Sequence, residues 1–184
     1  KIMKQSVRII GGQFRGKILK FPDTLGLRPT SNRIRETLFN WLMHITPNAR
    51  CLDAFAGSGA LGLEAFSRGA CSVIFTDTSP QVCRMLKRYT IEMNPQALQV
   101  IHTKACAYLA NTHLVFDIIF LDPPFDSDLL TLSIKLLETL PRLKPQGYLY
   151  IETGDNIELN PEIWQLLKSK KTGQVCYALY QKKA

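Results

Sequence analysis

Asp122-Pro123-Pro124-Phe125 closes an apolar run, Phe116–Leu121, with four residues whose types suit one kind of chemistry. The two prolines fix φ and remove two N–H donors, so the carbonyls of Asp122 and Pro123 are free to point into a cleft. An exocyclic amine on a base presents two N–H donors. The Asp122 carboxylate and the Pro123 carbonyl can accept both, which turns the nitrogen lone pair outward. Phe125 offers a flat face on which the ring can stack, a contact worth about 1–3 kcal/mol. The reaction that fits is an in-line displacement by the amine at a sulfonium methyl. It needs no metal, and orientation alone can supply up to about 7–11 kcal/mol. On this reading Asp122, Pro123, Pro124 and Phe125 form the catalytic motif.

A methyl donor needs its own site, and Cys51–Gly62 provides a candidate. The run Asp53-Ala54-Phe55-Ala56-Gly57-Ser58-Gly59 leaves a short apolar strand and enters a helix. Its glycines let the backbone approach a ligand without a Cβ in the way. A dinucleotide-binding turn has a similar outline, but an acid at the strand end would repel a pyrophosphate. That acid suits the ammonium group of a methionine moiety instead, so S-adenosyl-L-methionine is the expected cofactor. Asp53, Phe55, Ala56, Gly57, Ser58 and Gly59 are its expected contacts. Asp77 ends the next strand, where a carboxylate can accept two ribose hydroxyls. Ala105, after Lys104, follows the third strand on the turn expected to meet the adenine.

The net charge of +8 is unevenly placed. Residues 1–35 hold nine Lys or Arg against Asp23 alone, while the other 149 residues hold 14 basic and 14 acidic side chains. A basic arm on a neutral body implies a polyanionic partner. Arg8, Arg15, Lys17 and Lys20 are candidates to grip phosphates. Arg28, Arg33 and Arg35 are candidates to guide a base, with Arg28 or Arg35 alternatively meeting the cofactor carboxylate. The five cysteines include no C-x-x-C pair, which points to neither a disulfide framework nor a zinc site. No apolar run reaches bilayer-spanning length, and a cytoplasmic, membrane-free, metal-free monomer is expected.

The elements that must position these residues alternate. Val7–Ile10 and Lys17–Phe21 read as a hairpin around Gly11-Gly12 and Gly16. A helix capped by Thr30 or Ser31 follows a loop, carries Ile34, Leu38, Trp41/Leu42 and Ile45 on one face, and ends at Pro47. Strands are expected at Arg50–Ala54, Ser72–Asp77, Leu98–Thr103, Phe116–Asp122 and Gly147–Thr153, with helices near 60–68, 80–93, 105–111 and 127–140. Short apolar strands between helices imply a parallel sheet covered on both faces. Ile163–Lys171 and Gln174–Gln181, around Thr172-Gly173, read as a closing hairpin, with a short helix after Pro161 as an alternative. The chain then divides into a basic arm, residues 1–29, and a catalytic domain, residues 30–184.

Taken together, the chain resembles the RsmD family of bacterial 16S ribosomal RNA guanine-N2 methyltransferases. The resemblance runs through Arg8-Ile9-Ile10-Gly11-Gly12 with Arg15-Gly16, Leu27-Arg28-Pro29-Thr30, Arg33, and Arg35–Leu42. It continues through Asp53–Glu64, Asp122–Phe125, Gly173-Gln174-Val175 and Leu179-Tyr180. It implies an α/β class I methyltransferase fold, Rossmann-like, with a seven-stranded, mostly parallel sheet and an N-terminal β-hairpin extension. It also implies methylation of guanine 966 of 16S rRNA, in the small subunit or its assembly intermediate. Lys104 and Ser79 depart from the family pattern, which has Asn or Asp before Ala105 and often a second acid at position 79. Competing readings are an adenine-N6 methyltransferase acting on DNA, a protein-amide methyltransferase, and an RNA-binding ribosome-assembly factor without activity.

Overall fold

Apolar side chains of the central strands alternate between two cores. Cys51, Ile118 and Phe120 face one buried cluster, and Leu52, Ile119 and Leu121 face the other. A strand buried on both faces needs helices above and below. The computed structural model describes residues 5–184, apart from the side chain of Thr24. Lys1 and Lys4, counted with the basic arm, lie outside the described residues.

The elements in chain order are β1 (Gln5–Arg8), β2 (Ile18–Phe21), α1 (Asn32–Trp41), β3 (Arg50–Asp53), α2 (Ala60–Ser67), β4 (Ser72–Asp77) and α3 (Pro80–Met93). They continue with β5 (Leu98–His102), α4 (Ala105–Asn111), β6 (Phe116–Leu121), α5 (Leu129–Thr139), β7 (Leu143–Thr153), β8 (Trp164–Thr172) and β9 (Val175–Lys182). Seven strands form one sheet in the order β5-β4-β3-β6-β7-β9-β8. The first five of these pair in parallel; β9 runs antiparallel to both β7 and β8. Helices α1, α2 and α3 cover one face and α4 and α5 the other. The order reverses at β3, where the chain crosses from β5 on one side to β6 on the other. Such a switch point opens a crevice at the carboxyl ends of the strands. No helix among the described residues is long and apolar enough to cross a membrane.

Some boundaries differ from the sequence reading. Helix α1 is capped by the Ser31 hydroxyl, which accepts the Ile34 N–H at 3.3 Å, but it ends at Trp41 rather than at Pro47. The residues between them form turns, with the Thr46 hydroxyl donating to the Leu42 carbonyl at 3.0 Å. Strand β7 starts at Leu143, because Leu143 pairs with Phe116 ahead of a register shift. Pro161–Ile163 is a turn leading directly into β8, not a helix.

β1 and β2 form a separate antiparallel pair, in register Gln5 to Phe21 and Arg8 to Ile18. Val7, Ile9, Leu19 and Phe21 are buried in the same cluster as α1, α2 and α3. Polar bonds add to this packing. The Phe14 N–H donates to the Ser67 hydroxyl at 2.9 Å, the Ser67 hydroxyl donates to the Gly11 carbonyl at 2.6 Å, and the Tyr89 hydroxyl donates to the Lys20 carbonyl at 2.6 Å.

One buried acid ties these parts together. Glu64, on α2, has no solvent exposure, yet it accepts the N–H groups of Ile10 at 2.9 Å and Gly11 at 3.3 Å. It also pairs with the fully buried Arg35 guanidinium at 3.4 Å. The rest of Arg35 is spent on the Arg8 carbonyl at 3.0 Å, the Thr30 carbonyl at 3.2 Å and the Asn32 side chain. Burial pushes the Arg35 pKa down and Glu64 opposes that shift. Arg35 is therefore a bolt inside the fold and not a contact for RNA or cofactor, which corrects the expectation from sequence. Removing one partner of such a pair leaves a buried charge unpaired, at a cost of about 3–5 kcal/mol. Arg35→Met should lower the unfolding free energy by about that amount, read from urea unfolding. A change under about 1 kcal/mol, in the range of exposed pairs, would show that the pair is not what holds the arm.

Candidate active site

The carboxyl ends of β3, β4, β6 and β7 each deliver an acid to the crevice: Asp53, Asp77, Asp122 and Glu152. All four line one cleft of about 1370 Å³, large enough for a nucleoside-sized ligand and a second ring together. Two segments complete its rim, Gly26–Ser31 ahead of α1 and Thr172–Val175 in the β8–β9 turn. None of the four acids has an ion-pair partner among the described residues. Nor do three His, Cys, Asp or Glu side chains come together there as a metal ion would need. The cleft is thus an acidic pocket in a basic protein.

Asp53 is almost completely buried and accepts the Gly62 N–H at 2.9 Å. Burial raises its pKa to about 7; the Gly62 bond works against this, and the charges of Asp77 and Glu152 add to it. Asp77 clamps the loop beneath the ligand space: its two carboxylate oxygens accept the Gly57 N–H at 3.0 Å and the Ser79 N–H at 2.9 Å. Gly57 takes φ of 53°, a left-handed conformation that costs glycine nothing. Phe55, Ala56, Gly57, Ser58 and Ala105 line the cleft, and Lys104 joins them. Gly59 does not. It caps α2, and a Cβ there would lie 2.6 Å from Leu86 Cδ2, so its smallness serves the core.

The Asp122–Phe125 motif follows β6 directly. No described group donates to the carbonyls of Asp122 or Pro123, while the Pro124 carbonyl is taken by the Ser127 hydroxyl at 2.7 Å. Phe125 is 48% exposed on the cleft wall. Its ring lies against Gly154, where an added Cβ would come within 3.1 Å of Phe125 Cδ2.

Two residues at this site were not foreseen. Glu152, at the end of β7, is only 4% exposed. Its Oε1 accepts the hydroxyls of Tyr150 at 2.7 Å and Thr30 at 2.8 Å. The same Thr30 hydroxyl lies 3.3 Å from Asp122 Oδ2. Burial, and then the charge of Glu152, hold the Asp122 carboxyl well above the usual carboxylate range. The Tyr150 hydroxyl is pushed up by the same two causes and stays a donor. Asp122 and Glu152 form a buried acid pair bridged by Thr30. Glu152 could have been found in the sequence by the rule that found Asp53 and Asp77, an acid closing an apolar strand.

The basic residues divide. Arg28 lines the cleft rim; Arg8, Arg15 and Arg33 are exposed and are not among the residues that line it. Lys17 pairs with Glu92 of α3 at 2.8 Å, so part of its charge is already matched.

The family model described as "Conserved hypothetical protein 95" matches residues 7–181. Ribosomal RNA small subunit methyltransferase D of Escherichia coli strain K12 is 42% identical over 97% of this chain and 91% of its own length. The protein of the same name from Haemophilus influenzae is 44% identical over 97% of this chain and 95% of its own. The chain belongs to the RsmD family. A solved E. coli structure described as a "putative methyltransferase" superposes with a TM-score of 0.90 at 42% identity, covering 98% of this chain and 99% of its own. The 16S rRNA N2 G1207 methyltransferase of T. thermophilus, solved with AdoMet and guanosine, gives a TM-score of 0.71 at 23% identity. That match covers 98% of this chain and 50% of the other and bears on the fold alone. The RsmD-like residues of the N-terminal stretch, Arg8-Ile9-Ile10-Gly11 and Arg35, are those gathered around Glu64.

The acids set a pH dependence. Asp53 holds its proton more tightly folded than unfolded, so its own contribution to stability is full below about pH 4 and is lost as pH rises through about 7. Its share is on the order of 4 kcal/mol, and the raised Asp122 acts in the same direction. Asp53→Asn, which keeps an acceptor for Gly62, should flatten the fall in melting temperature of the ligand-free protein across this range. An unchanged pH profile in that variant would show that Asp53 is not the titrating acid.

Proposed function

We propose that the chain transfers a methyl group from S-adenosyl-L-methionine to N2 of guanine 966 in 16S rRNA of the small ribosomal subunit or its assembly intermediate. Membership of the RsmD family supports ribosomal RNA as the substrate. The observation that carries guanine N2 is the acid pair, Asp122 with Glu152.

The cleft fits the cofactor. A zwitterionic amino acid joined to a cationic sulfur brings a net positive charge, and the unpaired acids along the strand ends await a cation. Asp53 would hold the ammonium, Asp77 the ribose hydroxyls, the backbone of 55–58 the chain between them, and Ala105 the adenine face. When bound, S-adenosyl-L-methionine supplies a methyl group on a positively charged sulfur.

The chain's own residues do the rest. Along its Watson–Crick edge guanine presents an N1–H beside the N2 amine, whereas adenine presents a bare N1 acceptor beside its N6 amine. Asp122 and the Pro123 carbonyl would accept from N2, and Glu152 from N1–H. Adenine would turn a lone pair toward Glu152, so the pair selects guanine by repulsion as well as attraction. Donation from the base also favours the ionised form of the pair. As the new N–C bond forms, the amine's surplus proton has the Asp122 carboxylate as its acceptor. Phe125 covers one ring face and, with the prolines, limits the angle at which the amine enters. A base reaching this depth must leave its stack, at a cost of a few kcal/mol. Arg8, Arg15, Lys17 and Arg28 of the arm, residues 1–29, together with Arg33 of α1, would meet the phosphates that accompany it.

Two variants test this. Asp122→Ala should abolish methyl transfer while cofactor binding persists; loss of cofactor binding would place Asp122 in the wrong half of the cleft. A substrate RNA with 2-aminopurine in place of the target guanine keeps the amine and lacks N1–H. Wild-type kcat/KM should fall about 10- to 100-fold on it, the worth of one charge-assisted bond. Glu152→Gln, which can donate to a bare N1, should narrow that ratio. An equal ratio in both proteins would remove Glu152 from base reading.

A further inference from the structure

The neutral sum over residues 36–184 conceals a second basic surface. From Ile163 to Ala184 the chain carries five lysines and no acid. Two of them are occupied: Lys182 donates to the Leu137 carbonyl at 2.7 Å and Lys183 to the Pro161 carbonyl at 2.6 Å. The other three, Lys168, Lys170 and Lys171, are exposed on β8 and have no ion-pair partner among the described residues. β8 is the outermost strand of the sheet, so one of its edges is unpaired.

Their placement relates them to the cleft. β8 ends at Thr172, and Thr172–Val175 form part of the cleft rim. Lys168 and Lys170 stand opposite Leu179 and Tyr177 of β9, whose side chains belong to the α1-side core. Trp41 of α1 stacks on Tyr177 with ring centroids 5.5 Å apart, so this lysine-bearing face runs on to the helix that carries the exposed Arg33. Lys171 stands opposite Cys176, on the other face of the strand, at its end next to the rim. The three cations span about 10 Å of extended chain leading to the cleft mouth, and Arg28 stands on another part of the same rim.

We infer that Lys168, Lys170 and Lys171 form a phosphate-binding track that holds the RNA strand on the β8 side of the cleft, apart from the contacts made by the N-terminal arm. The inference rests on RNA being the substrate. Free cations beside the opening fit a polyanion that must enter there. A target base drawn into the pocket leaves flanking backbone on both sides. The arm can hold one flank and the β8 edge the other. Lysines on an edge strand can also serve only to block pairing with other sheets, and the two roles give opposite results.

The test uses the full chain with Lys168, Lys170 and Lys171 all changed to Gln, and a fragment of 16S rRNA containing the target guanine. Binding is measured from about 50 to 200 mM salt, with cofactor affinity as the check on folding. Three lost phosphate contacts should reduce the slope of log K against log salt by about 2 and weaken binding on the order of tenfold, with cofactor affinity unchanged. The same slope and affinity as the unsubstituted chain, with or without new self-association, would overturn the track and leave edge protection as the lysines' role. Failure of the unsubstituted chain to bind the target RNA at all, as the fragment or within small subunits, would overturn both the track and the reading of the substrate on which it depends.

Discussion

A carboxylate with no access to water must be matched donor by donor, and Glu64 imposes that requirement on half the molecule. Its partners come from the N-terminal arm, from α1 and from Arg68 just past the end of α2. The Arg68 guanidinium, 3.7 Å from Glu64, lies over the Phe39 ring at 5.3 Å. Through Arg35 the constraint reaches the Thr30 carbonyl, and the Thr30 hydroxyl is the bridge between Asp122 and Glu152. The arm and the Asp122–Glu152 pair are thus two ends of one connected set of bonds. The loop ahead of α1 is thereby tied both to Arg35 and to the acid pair.

The distribution of charge follows the same logic at larger scale. Acids close the strands on the floor of the cleft, where burial raises Asp53 and Asp122. Uncompensated basic residues stand outside it, on the arm, the rim and the β8 edge. A cationic small molecule is favoured within and a polyanion without. The acids are costly to the empty protein, and a ligand bringing positive charge or N–H donors to them would offset that cost.

Much of this was legible in the sequence. The alternation of strand and helix gave the sheet, and α3 and α4 fall on the expected residues because their starts are marked, α3 by Ser79-Pro80 and α4 by the end of an apolar strand. The Asp53–Ser58 loop and the Asp122–Phe125 motif are local patterns whose neighbours in sequence are their neighbours in space. Arg35 was misread because a helical arginine in a basic stretch looks solvated, and only the fold brings Glu64, 29 residues away, beneath it. Thr30 and Glu152 lie 122 residues apart, and no spacing rule joins them. That Gly59 must stay small for Leu86 is equally hidden, because Leu86 belongs to another helix. The lysines of β8 were hidden by a sum over the whole body, which balanced them against acids elsewhere in the fold.

The identity of the methylated nucleoside tests the assignment of the acid pair most directly. Unmodified 16S rRNA, alone and within small subunits, is incubated with the protein and S-adenosyl-L-methionine, digested to nucleosides, and resolved by mass spectrometry against standards. N2-methylguanosine as the sole new product is the result that two carboxylates facing one Watson–Crick edge predict. N6-methyladenosine, or a guanosine methylated at a ring nitrogen, would contradict it.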